Sequence, residues 1–381
     1  MTLSLFTRGL AALCVAGVCG GSLDAQGTRW ILEARPTIDI TEFSEDLPLG
    51  RIAGAVTLRD GSVVVGDASS LQLFFFSKDG KPRSAFGRDG EGPGEFRALQ
   101  SVSMCGADTL AVLDLRLSRV TRVDANGKLA SVARTRPERG YTPGNRPNPY
   151  QYVCGSGGAQ AITGGPTIDF TQAQPVGPYR GVVDIGIAKP GAPFTRLGTF
   201  AGPDRYRHTN ADGPVVFGRN VHVAVSQTRV FVGTADSFFV QVFDLDGAPK
   251  GTIRRAVPVR QVRPADRARY KEQVMQRMTA TGPQRAALMK RFDEVYLPPV
   301  FAAHERLLVD DQNHLWVEEG HAPSEPMRQW WGFQADGTPI GSMRVPDAFE
   351  LYEIRGSTVL GKWTDADGAE SVRGYRLTRA R

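Results

Sequence analysis

At 381 residues the chain can hold one large all-β domain or two ordinary ones, and 41% hydrophobic with 23% charged residues is ordinary for a folded soluble protein. Its 43 glycines and 25 prolines are spread along the whole length between recurrent apolar clusters, which sets aside a disordered chain and points to many turns between short elements. The formal net charge of +6 is carried by single, scattered residues, with no basic run and no aromatic-interleaved basic stripe, so nucleic acid is not expected as a partner.

The first element is a leader. Arg8, the apolar run 9–18 and the small-residue exit Leu23-Asp24-Ala25 form the pattern of a secretory signal peptide. Residues 1–25 are therefore expected to be removed, leaving a mature chain from Gln26 that is exported to the periplasm or beyond the cell. The apolar run falls short of the roughly 18 residues a spanning helix needs, and no later stretch reaches that length. Ala16-Gly17-Val18-Cys19 loosely resembles a lipid-attachment site, so a lipid-anchored form is the alternative. Residues 30–40 then predict a strand that pairs with the last element of the fold.

From residue 52 a rhythm sets in. Short apolar strands cover 54–58, 62–67 and 71–76, separated by Asp60-Gly61 and closed by Asp79-Gly80, the composition of hairpin turns. A second unit covers 99–105, 108–114 and 119–124 and closes on Asn126-Gly127. A third is looser, from about 150 through 159–162 and 181–188 to Phe200. The fourth covers 221–226, 229–233 and 239–245 before Asp246-Gly247. Residues 264–295 break the pattern with helix formers, split at Gly282-Pro283 into a helical hairpin. Val274, Met275 and Met278 mark one apolar face, and Leu288, Met289 and Phe292 another; packing is the first expectation, a lid or partner surface the second. The fifth unit covers 307–310, 314–317 and 330–333 and ends on Asp336-Gly337; the last covers 351–355, 358–361 and 374–377.

Equivalent points recur about every fifty residues, the period of four-stranded propeller blades. A single blade cannot bury both faces; stacked blades bury them all, which explains strands that read as continuous apolar runs. The predicted fold is therefore all-β: a six-bladed β-propeller of four-stranded blades over 26–381, with the helical hairpin inserted between blades four and five. A pair of β-sandwiches is the structural rival, disfavoured by the recurring Asp-Gly turns.

The most specific string is Phe86-Gly87-Arg88-Asp89-Gly90-Glu91-Gly92-Pro93-Gly94-Glu95-Phe96. With the strands that follow it resembles the NHL-type repeat, and more closely the bacterial exported 6-bladed β-propeller family, in which such a string leads from one blade to the next. Asp114 and Arg119 resemble the Asp…Arg-Val segment of an NHL blade. The residues themselves read as a structural loop: the glycines free the backbone, Pro93 stiffens it, and Phe86 and Phe96 can anchor its ends. A phosphate cradle is opposed by Asp89, Glu91 and Glu95 and by the missing Lys-Ser/Thr ending. Those carboxylates also match no recognised calcium-ligand spacing.

Beyond the leader two cysteines remain, Cys105 and Cys154, at matching places in successive units; in an oxidising compartment they are expected to pair. The histidines His208, His222, His304, His314 and His321 show no zinc-protease spacing, and no Gly-x-Ser-x-Gly elbow occurs. The expected function is a monomeric, non-catalytic binding module taking a protein, peptide or glycan ligand through its loop faces, with no cofactor. The alternative, from fold analogy, is a lactonase-like calcium-dependent hydrolase or lyase with its site at the channel mouth, for which Asp67, Asp114 and Asp310 are of the right type.

Overall fold

Each run of short strands folds as an antiparallel meander. The structure, a computed structural model, describes residues 27–106, 108–134, 149–164, 176–209, 212–276 and 281–380. The expected leader 1–25, Met278 and the Leu288 side chain lie outside the described residues. The first sheet runs Ile52–Thr57, Val63–Asp67, Gln72–Phe76, Pro82–Phe86, and the second Leu99–Met104, Thr109–Asp114, Arg119–Asp124, Leu129–Arg134. The fourth runs His222–Val225, Arg229–Gly233, Phe239–Asp244, Pro249–Arg254. In the turn before Pro82–Phe86, Gly80 takes φ 76° and its N–H reaches Ser77 O at 2.9 Å, a left-handed conformation that glycine adopts without steric cost.

The loosely patterned third unit is more extended than its sequence suggests. Two long strands, Gly177–Ala188 and Thr195–Arg207, follow Pro149–Cys154 and Gln160–Gly164, and a short fifth strand, Asp212–Pro214, is added outside. Apart from a two-stranded ribbon, Glu42–Ser44 with Leu47–Pro48, a nine-stranded sheet holds the rest: His304–Val309, Leu315–Glu319, Met327–Phe333 and Pro339–Pro346 on one side, Phe349–Arg355, Thr358–Thr364 and Glu370–Arg379 on the other. Its two halves are joined by Thr28–Leu32, parallel to Pro339–Pro346 and antiparallel to Glu370–Arg379. The strand expected at 30–40 is thus two strands, since Ile38–Ile40 pairs separately with the same last strand across the break at Pro36, which has no N–H to offer a ladder.

The first strands of successive sheets touch one another in sequence, and Phe349–Arg355 returns to touch Ile52–Thr57, closing the cycle. Burial follows from this arrangement. Val63–Asp67 is buried at every position, whereas the outermost strand Leu129–Arg134 is exposed throughout. Val64, Leu73 and Phe75 pack on Leu99, Val102 and Leu110 of the second sheet. Val63, Phe74 and Phe76 pack on Leu360 and Val372 of the last, so the first sheet is covered on both faces. Each such aromatic or aliphatic side chain contributes about 1.5–3 kcal/mol. The molecule is all-β and propeller-like, and among the described residues no helix is long and apolar enough to cross a membrane.

Between the fourth sheet and His304–Val309 lie α1 (Pro264–Gln276) and α2 (Gly282–Glu294). α1 is capped by Asp266, whose carboxylate accepts the Arg263 N–H at 2.8 Å, and Pro283 stands in the first turn of α2. Val274 and Met275 are half-buried, and the rings of Tyr270 and Phe292 hold the two helices together at 5.9 Å. The expected apolar face of α2 is only partly packed: Phe292 turns inward while Met289 is exposed.

Candidate functional site

The glycine-proline loop 86–96 is built as a structural junction between the first and second sheets. Gly87 and Gly94 take φ 96° and 78°, and a side chain at Gly87 would collide with the Phe96 ring. Phe96 is fully buried, its ring meeting Phe86 edge-on at 6.3 Å. All three loop carboxylates are engaged: Glu95 accepts from Gly92 N–H (2.7 Å) and Arg88 (2.8 Å), Asp89 pairs with Arg97 at 3.1 Å, and Glu91 lies 3.6 Å from the same guanidinium. Arg119 closes the loop from the second sheet by donating to the carbonyls of Glu91, Gly92 and Glu95. Its cross-strand partner Asp114 accepts the N–H groups of Arg97 (2.7 Å), Ala98 and Leu117. The string and the Asp…Arg pair are thus one device that locks the linker to the blade.

The three aspartates considered for calcium do not converge. Asp67, Asp114 and Asp310 end strands or turns in three different sheets. Asp67 accepts from Gly50 and Ser69 N–H, and Asp310 from Gln312 and His314 N–H and the Trp316 indole. Carboxylates so occupied by local donors, and apart from one another, do not fit a calcium cage, which needs six to eight oxygens around one point.

What the fold does bring together lies elsewhere. The first strands of the fourth, fifth and sixth units begin at one end of the cycle, and around them opens a cavity of about 730 Å³. His222, His304, Glu305, Arg306 and Glu350 come from the starts of those strands; Glu318 and Lys362 stand on second strands, Arg328 and Glu370 at the starts of third strands. α1 supplies one wall with Arg269, Tyr270 and Gln273, beside Phe217 from the segment before His222. Phe217 is held at φ 62°, unusual for a bulky residue, with its ring against Tyr270 at 5.4 Å and Phe301 at 5.0 Å.

Ion pairs lace the floor. Glu318, whose side chain is 0% exposed, accepts from Arg306 at 2.8 Å and Arg328 at 3.0 Å. Arg306 also reaches Glu350 (3.0 Å) and the Leu351 carbonyl, and Arg328 reaches Glu305 (3.1 Å) and Asp347 (2.8 Å). Lys362 bridges Glu350 (3.2 Å) and Glu370 (2.9 Å), and Glu370 in turn accepts the Ile52 N–H of the first sheet at 2.6 Å. Burial works against the charge of Glu318, but Arg306 and Arg328 outweigh it and hold its pKa below the usual carboxylate range. Glu305 goes the other way. It lies deep in the protein, though 32% of its side chain faces the cavity, and burial with the neighbouring Glu318 pushes its pKa up to about 7 against the pull of Arg328 and Arg306 and the His321 N–H.

The two cavity histidines are held neutral. Burial, then His304 and Arg306, press His222 well below its ordinary value; burial takes His304 down to about 4. His304 Nε2 accepts the Ala235 N–H at 3.1 Å, so the ring proton sits on Nδ1. None of the cavity groups was singled out as a site from the sequence. The usable signal was charge inside an apolar strand, as in Leu315-Trp316-Val317-Glu318-Glu319, because a carboxylate there must be buried and paired.

Glu305 carries a pH signature. The folded chain keeps its proton up to about pH 7 while the unfolded chain releases it near the ordinary 4.5, so stability falls as pH rises through that window and levels off above it. Glu305→Gln should flatten that slope: thermal denaturation at pH 5 and pH 7.5 should show a smaller drop in Tm for the variant than for the native chain. Parallel curves would mean that Glu305 titrates normally.

Cys105 and Cys154 form the expected disulfide, with Cα atoms 5.0 Å apart, between the second and third sheets.

No curated protein matches the chain. Among solved structures it is similar to a candidate exported protein of Bacteroides fragilis, at 10% identity over 92% of this chain and 96% of that one, with a TM-score of 0.48. It is similar also to a DUF4221-family member of Bacteroides vulgatus, at 9% identity over 93% and 100%, TM-score 0.48. A third is a gluconolactonase of Xanthomonas campestris, at 15% identity over 83% and 82%, TM-score 0.42. Residues 42–134 match the family described as 6-bladed beta-propeller, and this stretch, which holds both the loop 86–96 and the Asp114–Arg119 pair, establishes the resemblance to that family.

Proposed function

We propose that the mature chain is an exported six-bladed propeller of four-stranded blades, with the helical hairpin 264–294 inserted between blades four and five, and that it works without catalysis as a binding module. Its small-molecule, peptide or glycan ligand would sit in the mouth cavity. The closed cycle of first strands supports six blades, with Thr28–Leu32 and Ile38–Ile40 completing the last. The observation that carries the function is the cavity itself: about 730 Å³, within the range that holds a small ligand, floored by polar groups that are paired with one another. Such a floor offers directed hydrogen bonds without a nucleophile held by a base. His304 Nε2, the atom a general base would use, is already occupied by the Ala235 N–H.

One observation favours chemistry instead, namely Glu305, a carboxyl poised near neutrality in the cavity. A single experiment separates the two. The chain from Gln26 onward is screened by thermal shift against short peptides, amino acids and saccharides, alongside Gln273→Trp, which places a large ring in the mouth from α1. Binders should stabilise the native chain by about 2.7 kcal/mol at a hundredfold excess over Kd, fail to stabilise the variant, and be recovered unchanged. Conversion of a binder, or one calcium per chain retained after dialysis and desalting with lactone hydrolysis, would overturn the non-catalytic reading.

A further inference from the structure

We infer that the mouth cavity selects an organic cation, an ammonium or guanidinium group with an oxygen acceptor close to it. The inference rests on the reading of that cavity as the binding site and narrows it to a ligand class. Three independent features point the same way.

The first is charge. Among the described residues, Glu318, Asp347, Glu350 and Glu370, joined by Glu305 once it ionises near pH 7, face three cationic side chains, Arg306, Arg328 and Lys362, in one connected network. Every one of those cations already touches two or more carboxylates, so none is left to receive an anionic guest. The other charged wall groups add nothing to either side: Arg269 pairs with Glu272 on its own helix, and Asp365 accepts N–H groups of its own turn. A neutral guest would strip water from an uncompensated negative floor, whereas a cation replaces that water with its own charge.

The second is the aromatic part of the wall. Tyr270 and Phe217 line the cavity, and aromatic faces carry the negative end of the ring quadrupole, which attracts a cation and gives nothing to an anion.

The third feature is an orphan donor. His304 lines the cavity, its side chain is 0% exposed, and the proton that the Ala235 contact leaves on Nδ1 has no acceptor among the described residues. A buried N–H without a partner is costly. A ligand oxygen beside the cationic group would satisfy it once a side-chain shift in the cavity wall uncovers Nδ1, which is covered in the empty cavity, and this separates the expected ligand from a bare metal ion or a plain alkylamine.

Matched probes test this by calorimetry: Nα-acetyl-lysinamide and Nα-acetyl-argininamide as cations, Nα-acetyl-norleucinamide as the neutral isostere, Nα-acetyl-glutamate amide as the anion, and hexylamine as a cation without the oxygen. At least one of the two amide cations should bind on the order of tenfold more tightly than norleucinamide, and more tightly than hexylamine. Glu350→Gln, a conservative change at a half-exposed position, should weaken the cation by about threefold and leave the neutral probe unchanged. If norleucinamide or the acidic probe binds as well, and Gln273→Trp blocks it, the cavity reading stands and the cation inference falls. Cation binding that Gln273→Trp leaves untouched overturns the cavity reading itself. Silence from every probe at millimolar concentration also rejects the cation inference.

Discussion

Arg328→Met should destabilise the chain by about 3 kcal/mol or more, the range seen when a buried ion pair loses one partner. The guanidinium touches Glu305, Glu318 and Asp347, and Glu318 has no exposed side-chain surface with which to find water instead. Methionine keeps the volume of the stem and removes only the charge and its hydrogen bonds. Glu318 would retain Arg306, but Glu305 and Asp347 would face each other and Glu318 with their shared cation gone. A second substitution makes the argument sharper. In the Arg328→Met background, Glu318→Gln should recover at least about 1 kcal/mol, because of the three carboxylates that lose their cation it is the one with no exposed side-chain surface through which water could take the cation's place. Chemical denaturation of the native chain and both variants reads these differences directly. A loss below about 1 kcal/mol for Arg328→Met, the scale of exposed pairs, would show that water in the cavity screens the network and that the floor is not a buried one.

This network is what the sequence hid, and the reason is physical. Turns are local: Asp79-Gly80 and Asp246-Gly247 each close a hairpin through bonds within five residues, so their signal survives without tertiary knowledge. Paired strands and their order followed from those turns, and the fifty-residue period exposed the repeated unit. The same local physics accounts for the strand-end aspartates. Asp67, Asp114 and Asp310 attracted notice as strand-end carboxylates, yet each sits there because it accepts the N–H groups of its own turn. The cavity, by contrast, draws Phe217, Glu318 and Glu370 from more than 150 residues of chain, and only closure of the cycle makes them neighbours. Its one local trace was the charge embedded in Leu315–Glu319 and again at Lys362 inside Thr358–Thr364. The third unit stayed vague because its strands Gly177–Ala188 and Thr195–Arg207 are twice the usual length, and alternation over such strands does not mark where a blade ends.

Removing the disulfide should cost about 4 kcal/mol, the chain-entropy value for a loop closed between positions 49 residues apart. The bond ties the residue just after Leu99–Met104 to the last residue of Pro149–Cys154, the first strands of neighbouring sheets, so opening it in the unfolded chain frees a loop that contains most of one blade. Two effects must be told apart. Cys105 and Cys154 are buried with Ala111, Leu113, Val120 and Tyr152, so Cys105→Ala with Cys154→Ala also removes two sulfur atoms from a packed cluster. Reduction keeps those atoms and removes only the link. Denaturant titration under strong reductant should therefore reproduce most of the loss seen in the double variant, and the remainder measures packing. For a chain of this size the reduced protein should melt about five degrees lower. Equal midpoints for oxidised and reduced protein would show that the second and third sheets are held together by their apolar contacts alone, and that the bond adds nothing the propeller's closure has not already supplied.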